Sequence, residues 1–250
     1  MSGSSLYKWA SFYDRLQEAD YDEIGGYYHK LLKENGKSGG VLLDLACGTG
    51  TLSRYFADLG YDVIGADISS EMLAEAEKKQ SADKPAIKYI CRDMTELELP
   101  VAIDCCICVL DALNHLSDIE YIRKTFARLS LFMNKGGVLA FDVNTLYKHE
   151  ESLSGNNYVF DLPEPDNIFC VWQNSYCEDG RVGMTLDVFA REGDSWNRYT
   201  ETLSETAYPL EKISLLLKDA GFGEVRVYDW LENAPANELS EKAVFVAIKL

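Results

Sequence analysis

Residues Val41-Leu42-Leu43-Asp44-Leu45-Ala46-Cys47-Gly48-Thr49-Gly50 pass from an apolar run into a glycine-rich turn, and residues 51–59 follow with helical spacing up to a stop at Gly60. A strand, a tight turn and a helix in that order aim backbone amides at whatever approaches the helix N-terminus. Working outward, the pattern repeats. Residues 61–66 read as a second strand and 69–79 as a helix capped by Ser69 or Ser70, with Glu71 favourable in its first turn. Residues 86–91 form a third strand. Residues 103–110 form a fourth, whose near-continuous apolar run suits a central parallel strand buried on both faces. Ser117 and Glu120 make an S-x-x-E capping box for a helix reaching about Phe132, and 137–142 is the fifth strand.

Strands alternating with helices predict an α/β fold, because parallel neighbours need crossovers and the crossovers cover both faces of the sheet. After Asp142 the rhythm breaks. Residues 143–207 show no helical period, and 169–177, 182–191 and 196–204 read as antiparallel strands turning at Glu178-Asp179-Gly180 and Glu192-Gly193-Asp194. A helix over 210–220, stopped by Gly221, and strands over 225–230 and 243–248 resume the rhythm and bring the main sheet to seven strands. The expected organisation is an N-terminal helical segment (1–40), a doubly wound, mostly parallel core (41–142 and 208–250) and an inserted small antiparallel sheet (143–207).

Residues 1–40 carry Tyr7, Trp9, Phe12, Tyr13, Tyr21, Tyr27 and Tyr28 and read as two short helices, the second over 22–35. They pack against the sheet or form a lid whose rings cover a small-molecule pocket.

The chain has 250 residues and a formal net charge of −17 with no basic stripe, which excludes nucleic acid and anionic membranes as partners. Residues 143–207 alone hold twelve acidic against four basic residues, either to keep an exposed sheet soluble or to favour a cationic acceptor. Neither a secretory signal nor an 18-residue apolar window is present, so the expected compartment is the cytoplasm. The seven cysteines fit a reducing compartment. Cys105 and Cys108 form a C-x-x-C pair, but on a strand residues three apart face opposite ways, and no metal site is expected.

Four acids, Asp44, Asp67, Asp93 and Asp111, stand at or just beyond successive strand ends, on the rim where open α/β sheets bind ligands. Taken singly, Asp93 could start a turn and Asp111 could cap a short helix. A ring of carboxylates suits a cationic ligand and repels a pyrophosphate. The third glycine of a dinucleotide fingerprint is also replaced, by Ser53. This constellation resembles the class I S-adenosylmethionine-dependent methyltransferases, strongly over 41–142 and loosely over 208–250. The resemblance implies a Rossmann-like methyltransferase fold and S-adenosylmethionine as cofactor. Asp44 with the Ala46, Cys47, Gly48 and Gly50 turn would hold its methionine part, and Asp67 its ribose. Ile68 and Met72 would flank the adenine, Asp93 with Met94 would meet its amino group, and Leu110 and Asp111 would line the sulfonium side. Phe12-Tyr13-Asp14 is similar to a segment of small-molecule members in which the tyrosine reaches the cofactor carboxylate. The implied reaction moves a methyl group to nitrogen or oxygen of a small molecule, with Tyr7, Trp172 and Trp196 as candidate substrate residues.

His115, just past the fourth strand, is the candidate general base, or else a polar residue bridging to the next helix. Two other functions stay open: a nicotinamide-dependent oxidoreductase on the same fold, and a cofactor-binding module without catalysis.

Overall fold

In the computed structural model, which describes residues 10–17, 19–165 and 167–250, β1 (Gly40–Leu45) sits at the centre of the main sheet. It pairs in parallel with β2 (Tyr61–Asp67) on one side and β4 (Ile103–Cys108) on the other. β3 (Lys88–Cys91) closes one edge, while β5 (Met133–Asn144), β11 (Lys242–Lys249) and β10 (Phe222–Asp229) extend the other. β11 runs antiparallel to both neighbours, so the seven-stranded sheet is mostly parallel, as expected.

Period-two burial splits the core into two layers. Leu43, Leu45, Cys106, Cys108 and Phe141 face α5 (Ile119–Phe132) and α6 (Leu210–Asp219). Leu42, Val63, Cys105 and Ile107 face α2 (Tyr21–Glu34) and α3 (Thr51–Asp58). Cys105 and Cys108 thus lie in opposite layers, and none of the seven cysteines is in a disulfide. α2 opens on Asp20, whose side chain accepts from the amides of Asp22 and Glu23, and it buries Ile24, Tyr28, Leu31 and Leu32 in the sheet-facing layer. It is a packing helix. The sheet's rim is reached by the short α1 (Tyr13–Leu16) before it and by the first residue of α2, Tyr21.

α4 (Ser70–Lys78) is capped by Ser69, whose hydroxyl accepts from the Met72 amide. The S-x-x-E reading of α5 is corrected. Asp118, not Ser117, is the N-cap, and its carboxylate accepts the Glu120 amide at 2.9 Å. Both are capping types, and Asp118 is the one that stands in the extended N-cap position, with φ −135° and ψ 137°. β5 starts four residues before the expected Gly137, where Met133 pairs with Ile103 of β4, and continues to Asn144, because β11 pairs along it from Val138 to Asn144.

The stretch after β5 holds an irregular helical turn, Lys148–Leu153, that its sequence did not announce. A four-stranded antiparallel sheet follows: β6 (Asn157–Leu162), β7 (Ile168–Asn174), β8 (Arg181–Glu192) and β9 (Ser195–Thr206). The sequence does not mark β6 as a strand: its apolar residues Tyr158, Val159, Phe160 and Leu162 do not alternate with polar ones, although its exposure does alternate along the strand. β9 is one of the two edge strands, opposite β6, and borders the rim of the main sheet. No helix among the described residues is long and apolar enough to cross a membrane.

Asp118→Ala is expected to lower unfolding stability by about 1 kcal/mol, while Ser117→Ala stays within about 0.5 kcal/mol of the parent. Urea denaturation of the two variants distinguishes the caps.

Candidate functional site

At the C-terminal ends of β1, β2 and β4 lies a cavity of about 410 Å³, within the range of small-molecule sites. Of the residues singled out from sequence, Tyr13, Asp44, Ala46, Cys47, Gly48, Asp67, Ile68, Met72, Asp93, Met94, Leu110 and His115 line it. The structure gathers them from seven separate chain segments.

The turn after β1 is held open by backbone geometry. Ala46, Gly48 and Gly50 have φ of 59°, 54° and 75°, the left-handed region. At Gly50 a Cβ would also strike the Tyr89 hydroxyl, so this residue is fixed by packing behind the turn and does not line the cavity. At Gly48 a Cβ would meet nothing within 4 Å, so the backbone there stands open to the cavity.

Carboxylates hold the turn in place. Asp67 accepts the Gly48 amide on one oxygen and the Ser69 amide on the other, both at 2.8 Å. Asp44 accepts the Ser53 hydroxyl at 2.5 Å, which gives the residue at the missing third glycine a task. Burial pushes the Asp44 carboxyl up to about 7 against the Ser53 hydrogen bond, with repulsion from Asp67 adding to the rise. Burial also raises Asp67, partly offset by its backbone hydrogen bonds. Asp93 lines the cavity and also starts a turn, accepting Thr95 N and Oγ1 at 2.8 Å on Oδ1.

Four expectations need correction or fall outside the description. Asp111 does not line the cavity. Its carboxylate turns to Lys242 Nζ at 2.5 Å, while its amide and that of Leu110 donate to Asp142. Trp172 also lies elsewhere, packed on Tyr158 and Phe160 with its indole N–H on Asn174 Oδ1 at 2.6 Å. Trp196 is 54% exposed near the β8–β9 turn, remote from the cavity lining. Tyr7 lies outside the described residues.

Sequence reasoning missed other groups. Thr202, Leu203 and Ser204 of β9 wall one side of the cavity, and Tyr21 and Thr49 line another part. Asp14 fastens the N-terminal segment to the glycine turn, accepting Thr49 Oγ1 at 2.5 Å and pairing with Lys79. The Phe12-Tyr13-Asp14 run was the available signal. Behind Leu110 lies a buried charge cluster. Lys242 bridges Asp111 and Asp142, and Tyr28 donates to Asp142 at 2.9 Å. Burial alone would lower Lys242, but the two carboxylates outweigh it and hold its ammonium above the usual lysine range. Burial likewise opposes ionisation of Asp111, and Lys242 and Lys148 overcome it, holding Asp111 well below the usual carboxylate range.

A family model described as "Methyltransferase domain" matches residues 42–137. Over 244 residues the chain is 32% identical to a protein named as a methyltransferase in Geobacillus sp. (strain WCH70), covering 96% of this chain and 98% of that one. The chain belongs to the class I S-adenosylmethionine-dependent methyltransferases. A solved S-adenosylmethionine-dependent methyltransferase from Clostridium acetobutylicum ATCC 824 matches this methyltransferase with a TM-score of 0.87 at 30% identity, over 97% of this chain and 98% of that one. The sugar N-methyltransferase KedS8 from Streptoalloteichus sp. ATCC 53650 shares the fold of the methyltransferase (TM-score 0.82) at 19% identity, covering 100% of this chain and 96% of that one. The family replaces the nicotinamide reading.

In this methyltransferase, removing Lys242 would strand two acids in the interior. Lys242→Met is expected to cost about 3 kcal/mol at neutral pH. The loss should shrink below about pH 4, where the stranded acids take up protons. Chemical denaturation at both pH values reads this.

Proposed function

We propose that this chain transfers the methyl group of S-adenosylmethionine to a nitrogen or oxygen of a small molecule. The observation that carries the reading is the open Gly48 backbone beside carboxylates at the strand ends, a cradle suited to a ligand with an ammonium, a sulfonium and ribose hydroxyls. A pyrophosphate would face Asp44 and Asp67 instead of a third glycine.

Asp44 and the Ala46–Gly48 backbone would hold the methionine part, and Tyr13 would close over it from the N-terminal segment. Asp67 would meet the ribose while keeping the turn in shape. Ile68 and Met72 would flank the adenine, with Asp93 and Met94 at its far edge. Leu110 and His115 would stand on the acceptor side. Bound there, the cofactor supplies a sulfonium methyl that is already activated, so the chain's main tasks are alignment and exclusion of water.

A relative from Aphanothece halophytica, 27% identical over 210 residues (82% of this chain, 73% of that one), is named glycine/sarcosine N-methyltransferase. That name supports a small-molecule acceptor. The N-terminal segment before α2 would act as the cavity's cover, tied down through Asp14, and the antiparallel sheet would supply the acceptor side through β9.

Calorimetric titration with S-adenosylmethionine tests the reading through its pH dependence. With Asp44 raised to about 7, the carboxylate that a cationic ligand needs is lost as pH falls through that value. Affinity is expected to rise between about pH 6 and about pH 8, by up to about tenfold per unit below the midpoint, and Asp44→Asn should flatten the profile. No heat of binding at any pH would remove the proposal.

A further inference from the structure

β9 walls the cavity with an open edge, and its pairing with β8 fixes which backbone groups face outward. In an antiparallel ladder, residues that bond the neighbouring strand alternate with residues whose N–H and C=O point the other way. Glu192 pairs with Ser195 across the two-residue turn at one end, and Ala207 N donates to the Gly180 carbonyl at 2.9 Å at the other. A two-residue hairpin turn is flanked by a bonded pair. Both ends therefore set one alternation. Ser195, Leu203, Glu205 and Ala207 turn toward β8, and Thr200, Thr202, Ser204 and Thr206 turn their backbone groups away from it.

The open side faces the short helical turn Ala112–His115. Asn114 Nδ2 donates to the outward Thr206 carbonyl at 3.2 Å, while Ala112, His115, Thr202, Leu203 and Ser204 line the cavity together. The edge is thus stoppered at Thr206, bordered by the cavity at Ser204 and Thr202, and continued beyond it through Thr200, Arg198 and Trp196. Natural sheets blunt an exposed edge with lysine, proline or a bulge. β9 has no lysine or proline and pairs with β8 in one unbroken register over all 12 residues.

Such an edge offers one N–H and C=O pair at every second residue, about 6.8 Å apart. Another extended polypeptide matches successive pairs, whereas a single small ring answers one of them. β9 runs toward its stopper. A chain added antiparallel, the more stable pairing, therefore starts there, with its N-terminus in the cavity beside Ser204 and its remainder leaving past Thr200. The reverse sense would bring a C-terminal carboxylate into a cavity lined by Asp44, Asp67 and Asp93. The terminus also suits the chemistry. An α-amine ionises near 7.7–8.0 against about 10.4 for lysine, so roughly a tenth of it is free base at neutral pH without a dedicated catalytic base.

We propose that the methyl acceptor is the N-terminal α-amine of a short peptide held as an added antiparallel strand on β9. This rests on the cavity being the methyl-transfer site. The α-ammonium first loses one proton to solvent. Its lone pair then forms the new N–C bond as the methyl carbon–sulfur bond breaks, with that electron pair left on sulfur. The product is an N-methylated ammonium, which leaves along the edge.

The test uses the full chain saturated with S-adenosylhomocysteine, with saturation checked by calorimetry, and alanyl-alanyl-lysine amide as the probe. Backbone hydrogen exchange is followed by NMR. The peptide should slow exchange of the Thr202 and Ser204 amides saturably and at least tenfold, and the same peptide with both internal amide nitrogens methylated should not. Ser204→Pro removes an outward N–H and leaves the bonds to β8 in place. It should weaken the peptide at least tenfold more than Ser204→Ala, which keeps that N–H. Equal slowing by the two peptides, or equal affinity of the two variants, would overturn the added strand. If Ser204→Pro does not fold, the contrast between the two peptides on the native chain decides. Protection of these amides that needs no peptide and grows with protein concentration would give the edge to a second copy and overturn the assignment. With S-adenosylmethionine instead, mass spectrometry should place the methyl on the α-amine. A methyl on the lysine side chain, or none, would overturn the acceptor. Failure of S-adenosylhomocysteine to bind would remove the underlying methyl-transfer reading, whereas binding without a peptide response would remove only this inference.

Discussion

The Asp67 carboxylate joins two chain segments that the rest of the site is built on. One oxygen takes the Gly48 amide from the turn after β1, and the other takes the Ser69 amide that opens α4. Both bonds are charge-assisted, and the one to Ser69 is buried, which makes them among the stronger links available at a sheet rim. Because the turn is fixed there, its left-handed residues can present bare backbone to the cavity instead of collapsing onto it. Asp44 reaches the same turn from β1 through Ser53, and Asp14 fastens the N-terminal segment to it through Thr49. Three acids thus shape one loop, and burial makes the charge of two of them, Asp44 and Asp67, costly.

What the sequence disclosed was whatever depends on neighbours in the chain. The D-x-x-C-G-T-G turn, the alternation of strand and helix and the acids at strand ends are local patterns, and they located the main sheet and most of the cavity wall. Local pattern also misled. Asp111 ends a strand region as Asp44 and Asp67 do, yet it turns away because Lys242, on the last strand, supplies a buried counter-charge 131 residues along the chain. Trp172 and Trp196 were attractive as large amphipathic rings. Their places are set by β-register, and pairing of Trp172 with Leu186 and Tyr158 turns it into the small sheet's own packing.

Glu205 shows the other side of that limit. Among twelve acidic residues in a strongly acidic stretch, nothing in its flanking sequence sets it apart. Burial does, together with Asn144 and His149, which hold it at the cavity's edge. Asp187, by contrast, pairs with Arg198 on the outer face of the same sheet. The acidity of the antiparallel sheet therefore has two physical meanings, a solvated face and an inward carboxylate, and composition alone reports only their sum.

The central claim is that the cavity behind the Ala46–Gly50 turn receives S-adenosylmethionine. Its most direct test is a crystal structure of the chain grown with S-adenosylhomocysteine. The account expects the amino-acid end against the Gly48 backbone and Asp44, the ribose at Asp67, the adenine beside Ile68 and Met94, and the sulfur facing Leu110 and His115. Ligand density at another place on the molecule, with this cavity left to solvent, would contradict it.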